Sequence, residues 1–355
     1  MSARAKYRLR LGHVGLFGVF AVGVFQAGTV AQNPSPSSNA IREKISTAGN
    51  VEDWTSITLK GSELHPEKPV FGEKVESDKF IRELLQVKWR QGDPIDLYII
   101  RPQGVANPPV MLYLYSYPSE TDRFRDPSYC ERITNGGMAA IGFVSSLTGQ
   151  RYTNRPMKQW FVSELQEALA STTHDVQMIL NFLSTRHDLD LTKVGMFGEG
   201  SGGSIAILAA AADPRIQTID VLNPWGDWSD WMAKSGVIPD EERPDYLKPQ
   251  FLQKIAPLDP VLWLPNLKTK HIRIQLLMDD MTAPKVAMER IKAVAPFGAQ
   301  VLEYPDLKQF FASNSGGRIF MWSKQQLLPS LPPTETPQKV ENTQPGTRRV
   351  ESSAD

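Results

Sequence analysis

The amino-acid sequence predicts an α/β protein built on a doubly wound, mostly parallel sheet. Continuous apolar runs such as Val110 to Tyr115 and Met138 to Val144 are typical of strands that are buried on both faces. These runs alternate with segments of helical periodicity, of which Phe161 to Arg186 is the clearest. Alternating strands and helices indicate a parallel sheet with helices packed on both of its faces.

The predicted elements follow one another in a regular order. The series opens with a hairpin, Phe80 to Trp89 and Ile95 to Arg101, whose connection Gln-Gly-Asp-Pro is a typical turn sequence. The later predicted strands are Val110–Tyr115, Met138–Val144, Val194–Phe197, Ile216–Leu222, His271–Met278 and Gln300–Tyr304. The predicted helices are Ser128–Asn135, Phe161–Arg186, Ser201–Ala212, Pro284–Ala295 and Lys308–Gln325.

Composition and charge exclude several classes of protein. The chain has 355 residues, of which 41% are hydrophobic and 22% are charged, as expected for an ordinary globular protein. Its 39 basic residues equal its 39 acidic residues, so no strong positive field predicts a nucleic-acid partner. The single cysteine, Cys130, excludes an internal disulfide framework and a multi-cysteine metal site, and we predict no bound metal.

Residues 1–31 have the pattern of a secretory signal peptide. Basic residues precede an uncharged run from Val14 to Phe25, and Thr29 and Ala31 supply modest side chains for a cleavage site. The alternative is an uncleaved membrane anchor, but this run is short for a hydrocarbon core of about 30 Å. We therefore expect export to the periplasm or the extracellular space, with no transmembrane segment in the mature chain.

The rest of the chain divides into three predicted parts. Residues 32–49 form a polar linker, residues 50–327 form one large domain, and residues 328–355 form a disordered, Pro-rich tail. Within the domain, residues 223–266 interrupt the alternation of strands and helices. This insertion carries the tryptophans Trp225, Trp228, Trp231 and Trp263. It predicts either a Trp-rich cap over a binding cleft or a packing excursion that buries its own indole rings.

A glycine-rich turn joins a predicted strand to a predicted helix between Val194 and Gly203, in the sequence VGMFGEGSGG. This segment resembles the nucleophile elbow, G-x-S-x-G, of the α/β-hydrolase family. In that elbow the nucleophile has a positive φ and lies between two small residues. The resemblance therefore predicts a sheet of the α/β-hydrolase type.

Two registers of this elbow are possible. With Gly198 and Gly202 as the small residues, Gly200 takes the nucleophile position. With Ser201 as the nucleophile, Glu199 has to take the first small-residue position, where its side chain crowds the helix. The first register is favoured, because glycine adopts a positive φ without strain.

The same turn also matches G-x-G-x-x-G, the dinucleotide-binding pattern, through Gly198, Gly200 and Gly203. That pattern belongs to the first strand–helix turn of its fold, whereas this turn follows a hairpin and two further strands. Its acidic partner about 20 residues further on would have to be Asp220, which lies inside the next predicted strand. The hydrolase resemblance is therefore favoured, and we predict no cofactor.

The resemblance covers about residues 80–325 and implies hydrolysis of an ester, amide or thioester through a serine acyl-enzyme. In this family the acid, and then the histidine, follow the nucleophile along the chain. Asp280, after the strand His271–Met278, matches the acid, but the expected histidine position holds Gln309. No histidine follows the acid loop. Two of the three triad positions, Gly200 and Gln309, are therefore predicted to be replaced.

The loop after the strand Val110–Tyr115 also departs from the family pattern. Family members carry a His-Gly-rich loop that supplies an oxyanion-binding N–H group, whereas this chain has the sequence Ser-Tyr-Pro-Ser-Glu. The N–H group of Ser201, at the start of its helix, can still bind an anion. We predict a ligand pocket that is lined by Tyr115, Ser116, Tyr117, Trp225 and Trp228.

Three functional hypotheses follow. In the first, the protein is a degenerate α/β-hydrolase that binds a small ester- or amide-like ligand, or a protein partner, in its former active-site cleft. In the second, it is an active esterase or peptidase-like hydrolase that uses Ser201 with Asp280 or Asp227 and a base such as His174 or His187. In the third, it is only a structural module. The first is favoured, because a serine hydroxyl without a base is a weak nucleophile.

Overall fold

A large mixed sheet is the central element of this protein. The structure is a computed structural model that describes residues 52–59, 67–90, 93–118, 121–147 and 161–328. The predicted signal peptide, the predicted linker, all but one residue of the predicted tail, and residues 91–92 of the predicted hairpin turn lie outside the described residues. Within the described ranges, no helix is long and apolar enough to cross a membrane.

Nine strands form a single sheet within the described residues. They are β1 Val70–Glu76, β2 Phe80–Arg90, β3 Asp93–Pro102, β4 Pro109–Leu114, β5 Ala139–Phe143, β6 Asp190–Glu199, β7 Ile216–Leu222, β8 His271–Leu277 and β9 Gln300–Tyr304. Their order across the sheet is β1-β2-β3-β5-β4-β6-β7-β8-β9. The pairs from β1 to β5 are antiparallel and the pairs from β5 to β9 are parallel. The predicted mostly parallel sheet is confirmed.

Helices flank this sheet and connect its strands. The α-helices are α1 Pro127–Thr134, α2 Leu165–Ser184, α3 Ser201–Ala212, α4 Trp228–Lys234, α5 Arg243–Tyr246, α6 Pro249–Ile255, α7 Pro260–Trp263, α8 Lys285–Ala293, α9 Leu307–Asn314 and α10 Met321–Leu327. Short 3-10 helices occur at Asp122–Arg125, Phe161–Glu164, Ala256–Leu258, Leu264–Asn266 and Arg318–Phe320. Strands β4 and β5 are buried along their whole length, as expected where helices cover both faces of a sheet.

The predicted bounds agree with the structure for α3, β7 and β9, and differ by a few residues for most other elements. The single predicted helix Lys308–Gln325 is wrong. Gly316 and Gly317 take positive φ angles of 66° and 83° there and divide it into α9 and α10. Strand β1 was not predicted, because it lies on the outer edge of the sheet with nearly all of its residues exposed and therefore lacks an apolar pattern.

An ionic network attaches residues 52–59 to α2 and to the β2–β3 hairpin. Arg90 donates hydrogen bonds to Glu52 over 2.6 and 2.9 Å and to the buried Asp175 over 2.7 Å. His174, which is fully buried in α2, bonds to Glu52 through Nδ1 and to a carbonyl of the same segment, 2.8 Å away, through Nε2. His174 therefore has a structural position, because both of its ring nitrogens are engaged in this network.

We expect this network to make the free energy of unfolding depend on pH under acid conditions. Burial alone would raise the pKa of Glu52, but hydrogen bonds from His174 and Arg90 outweigh burial and lower it from 4.5 to about 2. The resulting stabilisation, about 3 kcal/mol, is fully present above pH 4.5 and is lost as the pH falls towards 2. The measurement is urea unfolding of the parent and of Glu52→Gln between pH 7 and pH 2.

The stability difference between parent and Glu52→Gln is expected to shrink as the pH falls, because the variant carboxamide does not titrate. A difference that stays constant down to pH 2 would show that Glu52 keeps an ordinary pKa in the folded protein.

The insertion at residues 223–266 folds into α4 to α7 and buries much of its tryptophan surface. Trp225, Trp228 and Trp231 are each at most 2% exposed, and the ring centroids of Trp225 and Trp231 lie 4.7 Å apart. The indole N–H group of Trp231 donates to the carbonyl of Thr282 over 2.9 Å. These contacts agree with the packing interpretation for the three rings, and a cap over a cleft stays a prediction.

Candidate functional site

Strand β6 enters α3 through a sharp turn at Gly200, whose φ is 53° and whose ψ is −117°. Glycine is the residue that adopts such a φ most readily. A Cβ atom on Gly198 would overlap the carbonyl oxygen of Gly202, and a Cβ atom on Gly202 would overlap that of Leu114. The turn therefore needs glycine on both sides, and Gly200 rather than Ser201 has the backbone geometry of the nucleophile position.

Two side chains from other elements fill the space beside Gly200. A Cβ atom on Gly200 would lie 2.9 Å from the Cβ of Ser116, closer still to its Oγ, and 3.2 Å from the Nε1 of Trp225. Ser116 follows β4 and Trp225 follows β7, which are the two neighbours of β6 in the sheet. The Ser116 hydroxyl thus lies where members of the resembled family carry their nucleophile.

The Ser201 hydroxyl is fully buried and is used within the fold. Its Oγ accepts a hydrogen bond of 3.0 Å from the backbone N–H of Tyr117, which joins the start of α3 to the loop after β4. In the resembled family this loop directs an N–H group at the oxyanion, whereas here the Tyr117 N–H is already engaged. Across the described residues, the Ser201 hydroxyl has no histidine or carboxylate partner.

Asp280 lies after β8, and two donors hold its carboxylate. Its Oδ2 accepts from the side-chain amide of Asn223 over 2.6 Å, and its Oδ1 accepts from the N–H of Thr282 over 2.6 Å. Asn223 has a φ of 44° and its Oδ1 accepts from the N–H of Leu277, so its amide orientation is fixed. Both oxygens of the Asp280 carboxylate therefore accept hydrogen bonds from donors other than an imidazole.

Among the described residues, neither Gln309 nor a histidine is hydrogen-bonded to the elbow. Gln309 is exposed in the first turn of α9, where its N–H donates to the capping carboxylate of Asp306 over 2.8 Å. His187 is exposed after α2, and His271 begins β8 at the strand end opposite the loop of Asp280. With His174 held in the network described above, none of these rings is bonded to a serine of the turn.

The other predicted pocket residues lie at different depths. Tyr115 is 4% exposed, its hydroxyl is bonded to that of Tyr129, and its ring lies 3.5 Å from the guanidinium carbon of Arg123. Trp228 is 2% exposed and donates its indole N–H to the carbonyl of Leu258 over 3.2 Å. Of the five predicted pocket residues, Ser116 and Tyr117 are half-buried and keep part of their surface accessible to a ligand.

Sequence reasoning missed two charged residues of this region. Glu199, the last residue of β6, is half-buried: burial raises its pKa, the Arg123 guanidinium opposes that rise, and Asp280 adds to it. Arg123 comes from the 3-10 helix Asp122–Arg125. The position of Glu199 directly before Gly200 was the signal available in the sequence, whereas no sequence pattern places Arg123 near the elbow.

The carboxyl ends of four neighbouring strands converge here. We use the name strand-end site for the residues Ser116, Glu199, Gly200, Asn223 and Asp280. This site offers a hydroxyl group, two carboxyl groups and an amide, and these groups suit hydrogen bonding and charge recognition. Among the described residues, no group of three or more His, Cys, Asp or Glu side chains is arranged to hold a metal ion.

Solved structures of several named hydrolases have a similar fold. Acetyl xylan esterase 1 from Thermoanaerobacterium sp. has a TM-score of 0.56 and 15% identity, over 74% of this chain and 88% of its own. An acetyl xylan esterase from Paenibacillus sp. R4 has a TM-score of 0.56 and 15% identity, over 78% and 90%. An S-formylglutathione hydrolase from Agrobacterium tumefaciens has a TM-score of 0.52 and 12% identity, over 73% and 99%.

The chain has the fold of the α/β-hydrolase superfamily, as the sheet order, the elbow and these structures together show. No protein-family model and no curated protein matches the sequence. At sequence identities this low, the structural similarity establishes the fold alone, and the chemistry of this chain has to be inferred from its own residues.

Proposed function

We propose that this α/β-hydrolase-fold protein is exported, lacks the usual Ser-Asp-His triad, and acts by binding a ligand at the strand-end site. The ligand is a small ester- or amide-like molecule or a protein partner. The observation that carries the proposal is Gly200 at the nucleophile position, with the Ser116 hydroxyl in the space that a nucleophile side chain would need. Acyl transfer requires a nucleophile activated by a base, and glycine supplies neither group.

The contacts of Ser201 give the catalytic alternative less support. A nucleophile must face the substrate, whereas the Ser201 hydroxyl is fully buried and accepts a hydrogen bond from Tyr117. Asp227 lies at the start of α4, with its N–H bonded to Asp259 over 2.9 Å. Of the two bases considered for this alternative, His174 is bonded to Glu52 and His187 is exposed after α2.

We expect the purified protein to show neither fluorophosphonate labelling nor hydrolysis of short p-nitrophenyl esters above the buffer rate. Mass spectrometry of the treated protein and the release of p-nitrophenolate are the two measurements. An active serine esterase, treated in parallel, shows that the probe and the esters are reactive. Ser201→Ala is expected to behave like the parent, because its hydroxyl is not presented to a ligand.

Labelling of Ser201 together with turnover would end this proposal. To assign ester hydrolysis to Ser201, Ser201→Ala must lower the hydrolysis rate at least a hundredfold. Ser128→Ala, at an exposed serine of α1, must leave that rate unchanged. That pair of variants separates a catalytic serine from a contaminating esterase.

A further inference from the structure

We propose that the strand-end site takes a ligand with a primary ammonium group, which the carboxylates of Glu199 and Asp280 bind, with the Ser116 hydroxyl as a third acceptor. This inference rests on the proposed function, since it names the chemical class of ligand for that same site. It is carried by three observations: where the acceptors lie, which of them are already engaged, and the balance of charge.

The first observation is the convergence of acceptors at one edge of the sheet. β4, β6, β7 and β8 are consecutive in the sheet and parallel, so their carboxyl ends lie side by side. Ser116, Glu199 and Asp280 follow or end three of these strands. An ammonium group donates three hydrogen bonds and accepts none, which matches a set of one hydroxyl and two carboxylates.

The second observation is that Glu199 is available. Within the described ranges, its carboxyl group makes no hydrogen bond and no ion pair, although it is half-buried. The nearby cation, Arg123, lies over the ring of Tyr115 with its guanidinium carbon 3.5 Å from the ring centroid. A partly buried carboxylate that makes no direct hydrogen bond or ion pair is incompletely compensated by a nearby guanidinium, and a ligand cation would supply the direct contact.

The third observation is the balance of charge, which opposes an anionic ligand. Glu199 faces one guanidinium, that of Arg123, and one further carboxylate, that of Asp280. The N–H of Tyr117, which lies in the loop that supplies an oxyanion donor in the resembled family, is engaged with Ser201. An anion would therefore meet net negative charge with a depleted set of donors, whereas an ammonium group would relieve the repulsion between the two carboxylates.

The test is calorimetric titration of the protein at pH 7 with three probes of one shape: benzylammonium, benzyl alcohol and benzoate. We expect benzylammonium to bind one equivalent and the other two probes to bind at least tenfold more weakly. Glu199→Gln and Asp280→Asn should each weaken benzylammonium at least tenfold. Glu131→Gln, which removes the same charge from the exposed surface of α1, should change its affinity less than twofold.

Lowering the pH provides a test that needs no variant. The charged groups that face Glu199 are Arg123 and Asp280. As the solution is acidified, benzylammonium stays charged while the Glu199 carboxylate takes up a proton. The affinity of the parent for benzylammonium should therefore fall.

Equal binding of benzoate or benzyl alcohol would overturn the inference, and so would an unchanged affinity in Glu199→Gln or a failure of all three probes to bind. These outcomes leave the absence of catalysis standing, because that proposal fails only through labelling and turnover at Ser201. The two failures are therefore distinguishable.

Discussion

Replacing Gly200 with alanine is expected to destabilise the protein by about 2–6 kcal/mol. One part is the strain of a side chain at a φ of 53° and a ψ of −117°, about 1–3 kcal/mol. The other part is overpacking, about 1–3 kcal/mol, since the new methyl group would lie 2.9 Å from the Cβ of Ser116 and closer to its Oγ. Urea unfolding monitored by tryptophan fluorescence measures the loss.

Two companion variants separate these parts. Gly104 has a φ of 75°, and a Cβ atom there would have nothing within 4 Å, so Gly104→Ala should cost only the strain, about 1–2 kcal/mol. Adding Ser116→Gly to Gly200→Ala should recover the overpacking part. A Gly200→Ala protein as stable as the parent would mean that the space beside the turn is open and that a nucleophile side chain would fit at this position.

The fold was predictable because its signals are local. The apolar runs of β4 and β5 and the periodicity of α2 arise from residues that are neighbours in the sequence. The elbow is local in the same sense: the spacing of its glycines, compared with the elbow of the resembled family, indicates Gly200 at the turn, and Gly200 has a φ of 53° there. Strand β1 was missed because it faces solvent at the edge of the sheet and needs no apolar side chains.

The contents of the site were less predictable, because they come from distant parts of the chain. Ser116 and Tyr117 were placed near the elbow through the family resemblance, but their contacts with Gly200 and Ser201 span more than 80 residues. The approach of Arg123 to Glu199 depends on how a 3-10 helix packs across the sheet. Such contacts depend on tertiary packing and produce no periodic pattern of residues in the sequence.

A second set of buried charges lies between β7, β8 and the C-terminal helices. The guanidinium of Arg273 donates to both carboxylate oxygens of Asp220, over 2.9 and 2.6 Å, and to the carbonyl of Ile319 over 2.8 Å. Gln275 donates a further bond of 2.9 Å to Asp220. The Asp220 side chain is fully buried and that of Arg273 is 7% exposed, so each charge depends on the other for compensation.

We expect Arg273→Met to lower the free energy of unfolding by about 3–5 kcal/mol, because it leaves the Asp220 carboxylate buried without its cation. Lys248→Met, which removes a cation from an ion pair with Asp245 whose side chains are both more than 60% exposed, should cost less than about 1 kcal/mol. Urea unfolding at pH 7 compares the two losses directly.

The double variant Asp220→Asn with Arg273→Met decides whether uncompensated charge is the cause. Asparagine is neutral and can still accept the bond from Gln275, so the double variant should be more stable than Arg273→Met alone. If the two variants unfold at the same urea concentration, the loss comes from the packing of the Arg273 side chain, which also lies 4.9 Å from the ring centroid of Trp322. A gain of stability in the double variant would instead attribute the destabilisation of Arg273→Met to the isolated carboxylate.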